Sequence, residues 1–566
     1  MKHTLLKYVP AAQWMGNYQK QHLSGDLSAG ITVAVMLVPQ GMAYAMLAGL
    51  PPIVGLYASI VPLLVYALFG TSRQLAVGPV AIVSLMTAAG IGGIVNDASI
   101  ETYVAYAILL ALMVGVIQLV MGVAKAGILV TFLSHPVISG FTSAAALIIG
   151  FSQLKHLLGL EIPRSHHIHE IVSKAVTQWN ETHLLTLLIG LASITLLVLL
   201  KRWKPMLPGA LIVVVLSTLA VWGFNLHEHG IKIVGDVPAG FPSPQLPDFE
   251  LDVISALLPT AIAISLISFM ESISVAKAFA RKNKYEVNAN QELIGLGLAN
   301  IAGSFFKAYP VTGGFSRTAV NGQAGANTPL ASLITAIVIS LVLMFFTPLF
   351  YFLPKAVLAA IIISAIFTLI DWQEAKHLYH VKRSDFATLS ITFFATLSLG
   401  IEQGILLGVA ISLMWIILRS SRPHTAILGR VPGTRLYRNL KKYPDAEQQD
   451  GVLILRIDAQ FYFGNASYLK DFINNHIRIS TKPIKSIVIE AAGINQIDSS
   501  ADAVLHDIVE DLKSKGITFY IASVKYPVLE VMTKSGLREF IGNDKFFLDL
   551  HEAVQHASGT TQYPQT

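Results

Sequence analysis

The sequence predicts a polytopic α-helical membrane protein that is followed by a soluble α/β domain. Of its 566 residues, 53% are hydrophobic and 13% are charged, whereas soluble domains carry about 25% charged residues. The apolar residues fall in blocks of roughly 20, the length that crosses ~30 Å of hydrocarbon. These blocks end near residue 425, where the density of charge rises.

Four regions follow from this change in composition. We expect a cytoplasmic N-terminal arm at 1–25, a transmembrane domain at 26–425, a cytoplasmic domain at 430–557 and a flexible tail at 558–566. The arm lacks an apolar core and a small-residue cleavage site, so no removable signal peptide is expected. The absence of cysteine excludes disulfides and thiolate sites. The net charge of +6 is dispersed among apolar segments, which indicates membrane topology and not nucleic-acid binding.

Fourteen apolar blocks predict fourteen membrane segments. With a cytoplasmic N-terminus, seventeen Lys and Arg residues lie in cytoplasmic stretches and six in outer stretches. This bias follows the positive-inside rule, so we expect both termini in the cytoplasm and the chain in the inner (plasma) membrane. The segments are 27–46, 52–70, 79–94, 102–122, 127–150, 183–200, 207–224, 251–272, 289–304, 314–324, 329–347, 354–371, 385–401 and 403–419. The six outer cations are Lys155, Arg164, Lys174, Lys232, Lys307 and Lys355.

Segments three and ten are interrupted in the same way. The stretch AVGP at 76–79 precedes segment three, and YPVTGG at 309–314 precedes segment ten. Two broken segments, seven positions apart, are typical of a seven-plus-seven inverted repeat with a substrate site at the membrane midplane. Extended backbone at that depth is tolerated where it lines a cavity. The alternative is that both stretches are ordinary extramembrane loops with proline turns.

Two half-helices that begin near the membrane centre would aim their N-termini at one point. Each N-terminus offers about half a positive charge and free N–H groups, which favours an anion. Gly78, Gly313 and Gly314 allow close approach of the backbone, and Ser316 adds a hydroxyl. Arg317 places a cation inside an apolar segment, where it is expected either to bind the anion or to pair with a carboxylate.

Glu271 of segment eight is an intramembrane carboxylate, for which burial favours the neutral, protonated form. Paired with Arg317, it could neutralise the arginine in one state and accept a proton when the anion arrives. That exchange would couple anion and proton entry, whereas the alternative is a static ion pair. In segment one, Gln40 and Tyr44 are one helical turn apart and share a face, so both donors point toward the same cavity.

Several motifs resemble the sulfate permease (SulP) family of solute-carrier 26-type anion transporters, whose animal members include prestin and pendrin. They are VPQGMAYA at 38–45, GLPPIVGLY at 49–57, GPVA at 78–81, ES at 271–272, GLGLAN at 295–300 and YPVTGGFSRTAVN at 309–321. The resemblance implies a uracil-permease-like inverted repeat, in which a core domain moves against a gate domain. It implies an anion between half-helices three and ten, with Glu271 as the family's acid in segment eight. The implied contacts are Gln40, Tyr44, Val77, Gly78, Pro79, Val80, Gly314, Phe315, Ser316 and Arg317.

The residues and the resemblance together predict secondary active transport of a small inorganic anion by alternating access. The run 271–321 resembles plant proton-coupled sulfate transporters, and a fixed guanidinium suits a divalent tetrahedral anion, so we expect sulfate symport with protons. The alternatives are a bicarbonate transporter, sodium-coupled or exchanging, a channel-like anion protein, and a membrane scaffold whose soluble domain signals. No nucleotide-binding or catalytic-triad motif is present, so neither an enzyme nor a cofactor is expected.

The soluble region alternates predicted strands with predicted helices, which is typical of an α/β layer fold. It resembles the STAS domain that ends members of the family, and this resemblance implies a homodimer. The motif IDSSA at 497–501 matches the loop that is phosphorylated on serine in bacterial anti-sigma antagonists, which makes Ser500 a candidate regulatory phosphosite. The alternative is that residues 498–500 form a helix N-cap. The predicted strands are 452–457, 486–490 and 518–522, and the helices are 466–479, 501–514 and 526–535.

Two groups of histidines and acids in predicted outer loops contain residue types that bind metal ions. Neither group has a defined ligand spacing, so no metal site is expected. The groups are His166, His167, His169 and Glu170, and His227, Glu228 and His229.

Overall fold

The computed structural model describes residues 9–94, 99–127, 134–162, 168–203, 207–367 and 369–559, apart from the side chain of Glu402. The beginning of the predicted arm, the end of the predicted tail, and Arg164, His166 and His167 lie outside the described residues. The chain divides into two compact units, 1–412 and 413–566, and the division falls inside the last membrane helix.

The first seven predicted segments are all helical in the described part of the chain. Segment two is two short helices, and segment three begins with a two-residue strand. The elements are α1 Ala11–Gly16, α2 Leu23–Leu47, α3 Pro52–Tyr57, α4 Val61–Phe69, β1 Val77–Gly78, α5 Ala81–Gly92, α6 Ile100–Val123, α7 His135–Ser152, α8 Leu154–Leu158, α9 Ile168–Thr177, α10 Leu184–Trp203 and α11 Gly209–Gly223.

The second seven segments repeat this order, again with a short strand before an isolated half-helix. Segment eight is longer than predicted, because it continues past residue 272 into a charged last turn that ends at Lys282. The elements are α12 Leu251–Lys282, α13 Ala289–Ser304, β2 Thr312–Gly313, α14 Phe315–Gln323, α15 Leu330–Phe345, α16 Lys355–Ile366, α17 Trp372–Val381, α18 Arg383–Leu399 and α19 Ile401–Ser421.

Many of these helices have the length and composition of membrane spans. In the described ranges, seven helical stretches are long and apolar enough to cross a bilayer: Lys20–Leu47, Pro52–Phe69, Ile100–Val123, His135–Leu158, Leu184–Trp203, Leu251–Lys282 and Gln403–Ser421. Four shorter apolar helices are α5, α11, α15 and α16. The other three predicted segments correspond to α13, α14 and α18, which are shorter or more polar.

The second unit contains a six-stranded sheet with the strand order β4-β3-β5-β6-β7-β8. The three predicted strands form its centre and are parallel, whereas β3 and β4 extend it antiparallel and were not predicted. The elements are β3 Thr425–Arg430, β4 Tyr437–Asn439, β5 Val452–Ile457, α20 Ala466–Ile479, β6 Ser486–Glu490, α21 Ser499–Ser514, β7 Thr518–Ala522, α22 Tyr526–Lys534, α23 Leu537–Ile541, β8 Phe546–Phe547 and α24 Leu550–Ser558.

Two buried carboxylates hold the loops beside the interrupted segments, and sequence reasoning missed both. Glu292 of α13 accepts hydrogen bonds from Tyr66 Oη at 2.6 Å, from Thr71 N at 2.6 Å and from Ser72 N at 3.1 Å. It thereby fixes the chain that leads into β1. Because these groups sit away from water, a carboxylate with several charge-assisted donors is a strong anchor.

Asp26 of α2 is the second of these buried carboxylates. Its carboxylate accepts hydrogen bonds from Asn327 N at 2.7 Å, from Thr328 N at 3.0 Å and from Thr328 Oγ1 at 2.7 Å. Asp26 therefore fixes the chain that leaves α14. Each half-helix is thus positioned by a buried carboxylate of a neighbouring helix: Glu292 holds the chain before α5, and Asp26 holds the chain after α14.

A glycine pair lets α2 and α3 touch through their backbones. A Cβ on Gly55 would lie 1.9 Å from the carbonyl oxygen of Gly41, a distance that no side chain can occupy. Small residues at such crossings allow membrane helices to approach closely, which is where their packing energy comes from.

Gly55→Ala should therefore destabilise the protein by about 1–3 kcal/mol or more, because α3 must move away from α2. Gly223→Ala is the matched control, since it is also a helical glycine but a Cβ there meets nothing within 4 Å. The thermal unfolding midpoint of the purified protein in detergent measures the difference. Equal midpoints for the two variants would contradict the proposed backbone contact.

Candidate anion-binding site

The two interrupted segments cross and pair through their short strands. Val77 pairs with Gly313 and Gly78 with Thr312 in an antiparallel register. Gly314 N donates to Ala76 O at 3.1 Å, which extends the pairing by one residue. Because the strands are antiparallel, α5 and α14 leave the crossing in opposite directions, and both helices begin beside it.

Both half-helices begin without a side-chain cap. Val80 and Gly314 occupy the N-cap positions of α5 and α14, and neither helix start receives a side-chain hydrogen bond. The first N–H groups of a helix have no partner within it. Two sets of free donors, each at the positive end of a helix dipole, therefore lie at the crossing.

Arg317 places its guanidinium between these two helix starts. Its side chain is 2% exposed, and Nη1 donates to Pro79 O, so the arginine of α14 is tied to the start of α5. A Cβ on Gly314 would lie 3.0 Å from Arg317 Nη2, and one on Gly78 would lie 3.6 Å from it. Glycine at these two positions thus makes room for the guanidinium.

Two donors of Arg317 are buried and unused. Nε and Nη2 have no hydrogen-bond partner in the described structure. A buried charged donor without a partner is costly, and an anion at the crossing would satisfy it. This arrangement is the strongest indication of a ligand site in the membrane unit.

The face of helix α2 that carries Gln40 and Tyr44 lines the same crossing, as predicted from their spacing. Leu37 Cδ1 lies 3.7 Å from a Cβ built on Gly78, and Gln40 and Tyr44 follow at helical spacing on that face. Both polar side chains are over 90% buried, and among the described residues neither has a hydrogen-bond partner. Tyr44 is also within electrostatic range of Arg317. Their amide and phenol donors are therefore available to a ligand.

The remaining predicted contacts surround the crossing unevenly. Val77 and Pro79 are buried and Val80 is half-buried, so this stretch offers mainly backbone groups. Phe315 and Ser316 lie on the exposed first turn of α14, where Phe315 is 63% exposed. The ring of Phe315 and the hydroxyl of Ser316 thus lie on the exposed side of the site.

Glu271 lies near the crossing but does not pair with Arg317. No ion pair joins the two side chains in the described ranges, and Glu271 Oε2 is buried without a hydrogen-bond partner. Arg317 is still within electrostatic range of the carboxylate. The static ion pair considered from the sequence is therefore not the arrangement found, because the guanidinium instead reaches the carbonyl of Pro79.

A polar network fixes β2 to the neighbouring helices. Ser272 Oγ accepts from Gly313 N at 2.9 Å and bonds Thr312 Oγ1 at 2.7 Å, which places α12 against the crossing. The side-chain amide of Asn300 in α13 accepts a hydrogen bond from Val311 N at 2.8 Å and donates one to Val311 O at 3.1 Å. Gln118 then joins Asn300 at 3.1 Å. Sequence reasoning missed Gln118, whereas Asn300 belongs to the GLGLAN motif at 295–300.

The loop with the candidate phosphosite is a helix start in the second unit. Asp498 is the N-cap of α21, and its carboxylate accepts from Ala501 N at 2.8 Å and from Phe463 N at 3.0 Å. Ser499 and Ser500 are exposed on the first turn. The capping interpretation is therefore seen directly in the geometry, while phosphorylation of Ser500 stays a prediction.

Asp498→Ala should lower the local stability of this loop by about 1 kcal/mol, because two backbone donors lose their acceptor. We expect the amides of Ala501 and Phe463 to exchange hydrogen about fivefold faster in the full-length protein. Asp507→Ala, an exposed position on the same helix, is the control. Equal exchange in both variants would show that the cap contributes nothing.

No group of three or more His, Cys, Asp or Glu residues in the described ranges is arranged to hold a metal ion. His227 instead packs edge-on against Phe352, with 5.1 Å between ring centroids.

Crossed half-helices around a buried arginine, within a bundle of membrane-length helices, define a multi-pass membrane transporter. Two sequence patterns match the chain: that of the sulfate permease family over residues 23–392 and that of the STAS domain over residues 443–553. The chain therefore belongs to the sulfate permease family, and the predicted family and fold class are confirmed. As a member of a family of transporters, it is not an enzyme.

Relatives and solved structures agree with this assignment. The chain is 44% identical to "Probable sulfate transporter 4.2" of Arabidopsis thaliana, over 96% of this chain and 83% of that protein. It is 36% identical to "Probable sulfate transporter MT1781" of Mycobacterium tuberculosis, over 97% and 98% of the two chains. The murine Solute Carrier 26 family member A9 anion transporter matches with a TM-score of 0.93 at 25% identity, over 99% and 95% of the chains. The transmembrane domain of the cyanobacterial bicarbonate transporter BicA matches with a TM-score of 0.61 at 25% identity, over 70% of this chain and 98% of that one.

Proposed function

We propose that this anion transporter carries sulfate, in symport with protons, by alternating access. The observation that carries the proposal is the buried guanidinium of Arg317 at the junction of two uncapped helix starts, where Nε and Nη2 have no partner among the described residues. A planar guanidinium with parallel N–H groups recognises the oxygens of a tetrahedral oxyanion in a bidentate manner. The names of the plant and mycobacterial relatives support sulfate as that oxyanion.

The proposed anion contacts are the face of α2, the backbone at the start of α5 and the first turn of α14. Gln40 and Tyr44 would donate side-chain hydrogen bonds, while Val77, Gly78, Pro79 and Val80 would shape the wall and supply the helix start. Gly314, Phe315, Ser316 and Arg317 would close the opposite side. An anion held by both half-helices would shed part of its water shell, because N–H groups replace it.

Proton coupling is assigned to Glu271. Its Oε2 is buried and unpartnered near Arg317, so a carboxylate there is stabilised by the guanidinium only while no anion occupies the crossing. Arrival of an anion would compete for the positive charge and favour uptake of a proton by Glu271. Anion and proton would then move together.

Bicarbonate is the second candidate, favoured by the structural match to a bicarbonate transporter. A channel-like anion protein is less consistent with Glu271, because a leak pathway needs no proton carrier. Uptake into proteoliposomes, with sulfate, bicarbonate, chloride and dicarboxylates under proton or sodium gradients, separates these candidates. We expect sulfate uptake that an inward proton gradient drives; sodium-dependent bicarbonate uptake indifferent to that gradient would overturn both proposals.

The setting of the transporter is also proposed. We infer that it lies in the cell's inner (plasma) membrane with both termini in the cytoplasm, supported by the distribution of Lys and Arg. The boundaries near 26–425 and 430–557, and a homodimer supported by the STAS domain, belong to the same proposal. Ser500 is proposed as a regulatory phosphosite, since it is exposed on the first turn of α21.

A further inference from the structure

Three of the six cations predicted on the outer side converge on one cavity, far along the chain from the crossing. The cavity has a volume of about 210 Å³, and Lys155, His156, Lys232 and Lys355 contribute to its lining. These residues come from α8, from the loop before α12 and from the start of α16. Cationic residues that are far apart in the sequence thus line the same cavity.

Backbone contacts fix two of these lysines side by side. Lys355 N donates to Lys232 O at 2.9 Å, and a bridge joins Ile233 to Pro354. The facing wall is held by His183, whose N donates to Leu158 O at 2.9 Å. The cavity is therefore built from backbone-anchored elements and not from free loop tips.

The lining carries more positive than negative charge. Its one carboxylate is Glu161, which is 88% exposed and pairs with Lys232 at 3.0 Å. Lys355 is half-buried and forms no ion pair in the described part of the chain. Lys355 is also the first residue of α16, which begins without a side-chain cap, so the helix dipole adds to the positive charge.

Glu161 compensates part of the charge of Lys232, and a bound anion would compensate the charge of Lys355, which pairs with no carboxylate among the described residues. Clefts lined by one sign of charge concentrate counter-ions. The Thr186 side chain in the lining is 3% exposed, and its hydroxyl lies 2.7 Å from His183 Nδ1, so the floor of the cavity is largely apolar. Cationic side chains around a concave site are the chemistry that binds a tetrahedral oxyanion.

We propose that this cavity is a second anion-binding site, separate from Arg317, for a tetrahedral oxyanion. The oxyanion is either free sulfate or phosphate, or the phosphate of a lipid headgroup at the membrane edge. A free anion held here would raise the local anion concentration at the outer face. The binding site does not rest on the proposed transport mechanism, because none of its residues belongs to the crossing.

The test uses the full-length chain carrying Arg317→Ala, which removes the central guanidinium. In maltoside micelles, which contain no phosphate, sodium sulfate is exchanged for chloride at constant ionic strength and the thermal unfolding midpoint is followed. We expect sulfate to raise the midpoint, and the combination Lys232→Ala with Lys355→Ala to weaken that response at least about tenfold. Lys174→Ala with Lys307→Ala, two outer cations outside the cavity, should leave it unchanged.

A second arm adds phosphatidylglycerol to the micelles. If a headgroup is the occupant, the lipid raises the midpoint in a lysine-dependent manner and added sulfate has no further effect. Lys232→Arg with Lys355→Arg keeps the charges and should keep the response, which separates loss of binding from poor folding. The proposal is overturned if neither sulfate nor the lipid produces a response that depends on these two lysines.

Discussion

Arg317→Ala should reduce sulfate binding and uptake about 10- to 100-fold, the largest effect expected from a single substitution in the membrane unit. The variant removes two donors, Nε and Nη2, that no group of the described structure satisfies, and a third that holds Pro79 O. It also removes the full positive charge of the guanidinium from the junction of the half-helices. Binding of radiolabelled sulfate to the purified protein, together with uptake into proteoliposomes, measures both losses.

Arg317→Lys should be intermediate, because an ammonium keeps the charge but cannot present parallel N–H donors. Lys307→Ala removes a cation from the chain just before β2 and should leave binding intact. If Arg317→Ala binds sulfate as tightly as the unmodified protein while folding normally, the arginine is structural and the anion lies elsewhere.

Glu271→Gln should abolish accumulation driven by a proton gradient while keeping most of the sulfate binding. Glutamine has nearly the same size and matches the protonated acid in charge, so the variant mimics the anion-loaded state and cannot release its proton. Uptake with an acidic exterior should fall to the level seen without a gradient. Equilibrium binding of sulfate should change by no more than a few-fold.

Glu250→Gln is the matched control, since this acid occupies the exposed N-cap of the same helix. It should accumulate sulfate normally. Unchanged accumulation in Glu271→Gln would remove the proton-carrier proposal without affecting the anion site, because the two depend on different atoms.

The membrane segments could be predicted because their physics is local. A run of apolar residues long enough for the hydrocarbon is visible directly, and each of the fourteen predicted segments contains a helix. The interruptions were also visible, since Gly78, Pro79, Gly313 and Gly314 are poor helix formers at membrane depth. In the second unit the apolar strands predicted at 452–457, 486–490 and 518–522 were confirmed for the same reason.

Pairings between distant positions could not be predicted in this way. The sequence suggested that Arg317 meets Glu271, because opposite charges in an apolar setting are expected to pair. The structure instead ties Arg317 to the carbonyl of Pro79, a backbone group that leaves no signal in the sequence. The antiparallel pairing of Val77 with Gly313 could not be predicted either, because a strand of two residues has no recognisable alternation of apolar and polar residues.

The anchoring acids were missed for a related reason. Glu292 lies at the start of a helix among polar residues, where an acid normally faces water. Its burial follows from Thr71 and Ser72, more than two hundred residues away along the chain, whose donors surround it. From the sequence, Asp26 likewise looks like an exposed acid in the first turn of a helix. Its burial depends on Thr328, which is distant in the sequence but donates to its carboxylate.

The measurement that tests the account most directly is the position of a bound tetrahedral dianion. Selenate has the shape and charge of sulfate and contains a strong anomalous scatterer, so a crystal of the protein soaked in it reports the location without interpretation of weak density. The account predicts a selenium peak about 4 Å from the Arg317 guanidinium, with selenate oxygens at hydrogen-bond distance from it and from the first turns of α5 and α14. Selenium bound only at the outer cavity, or at no point near both half-helix starts, would contradict it.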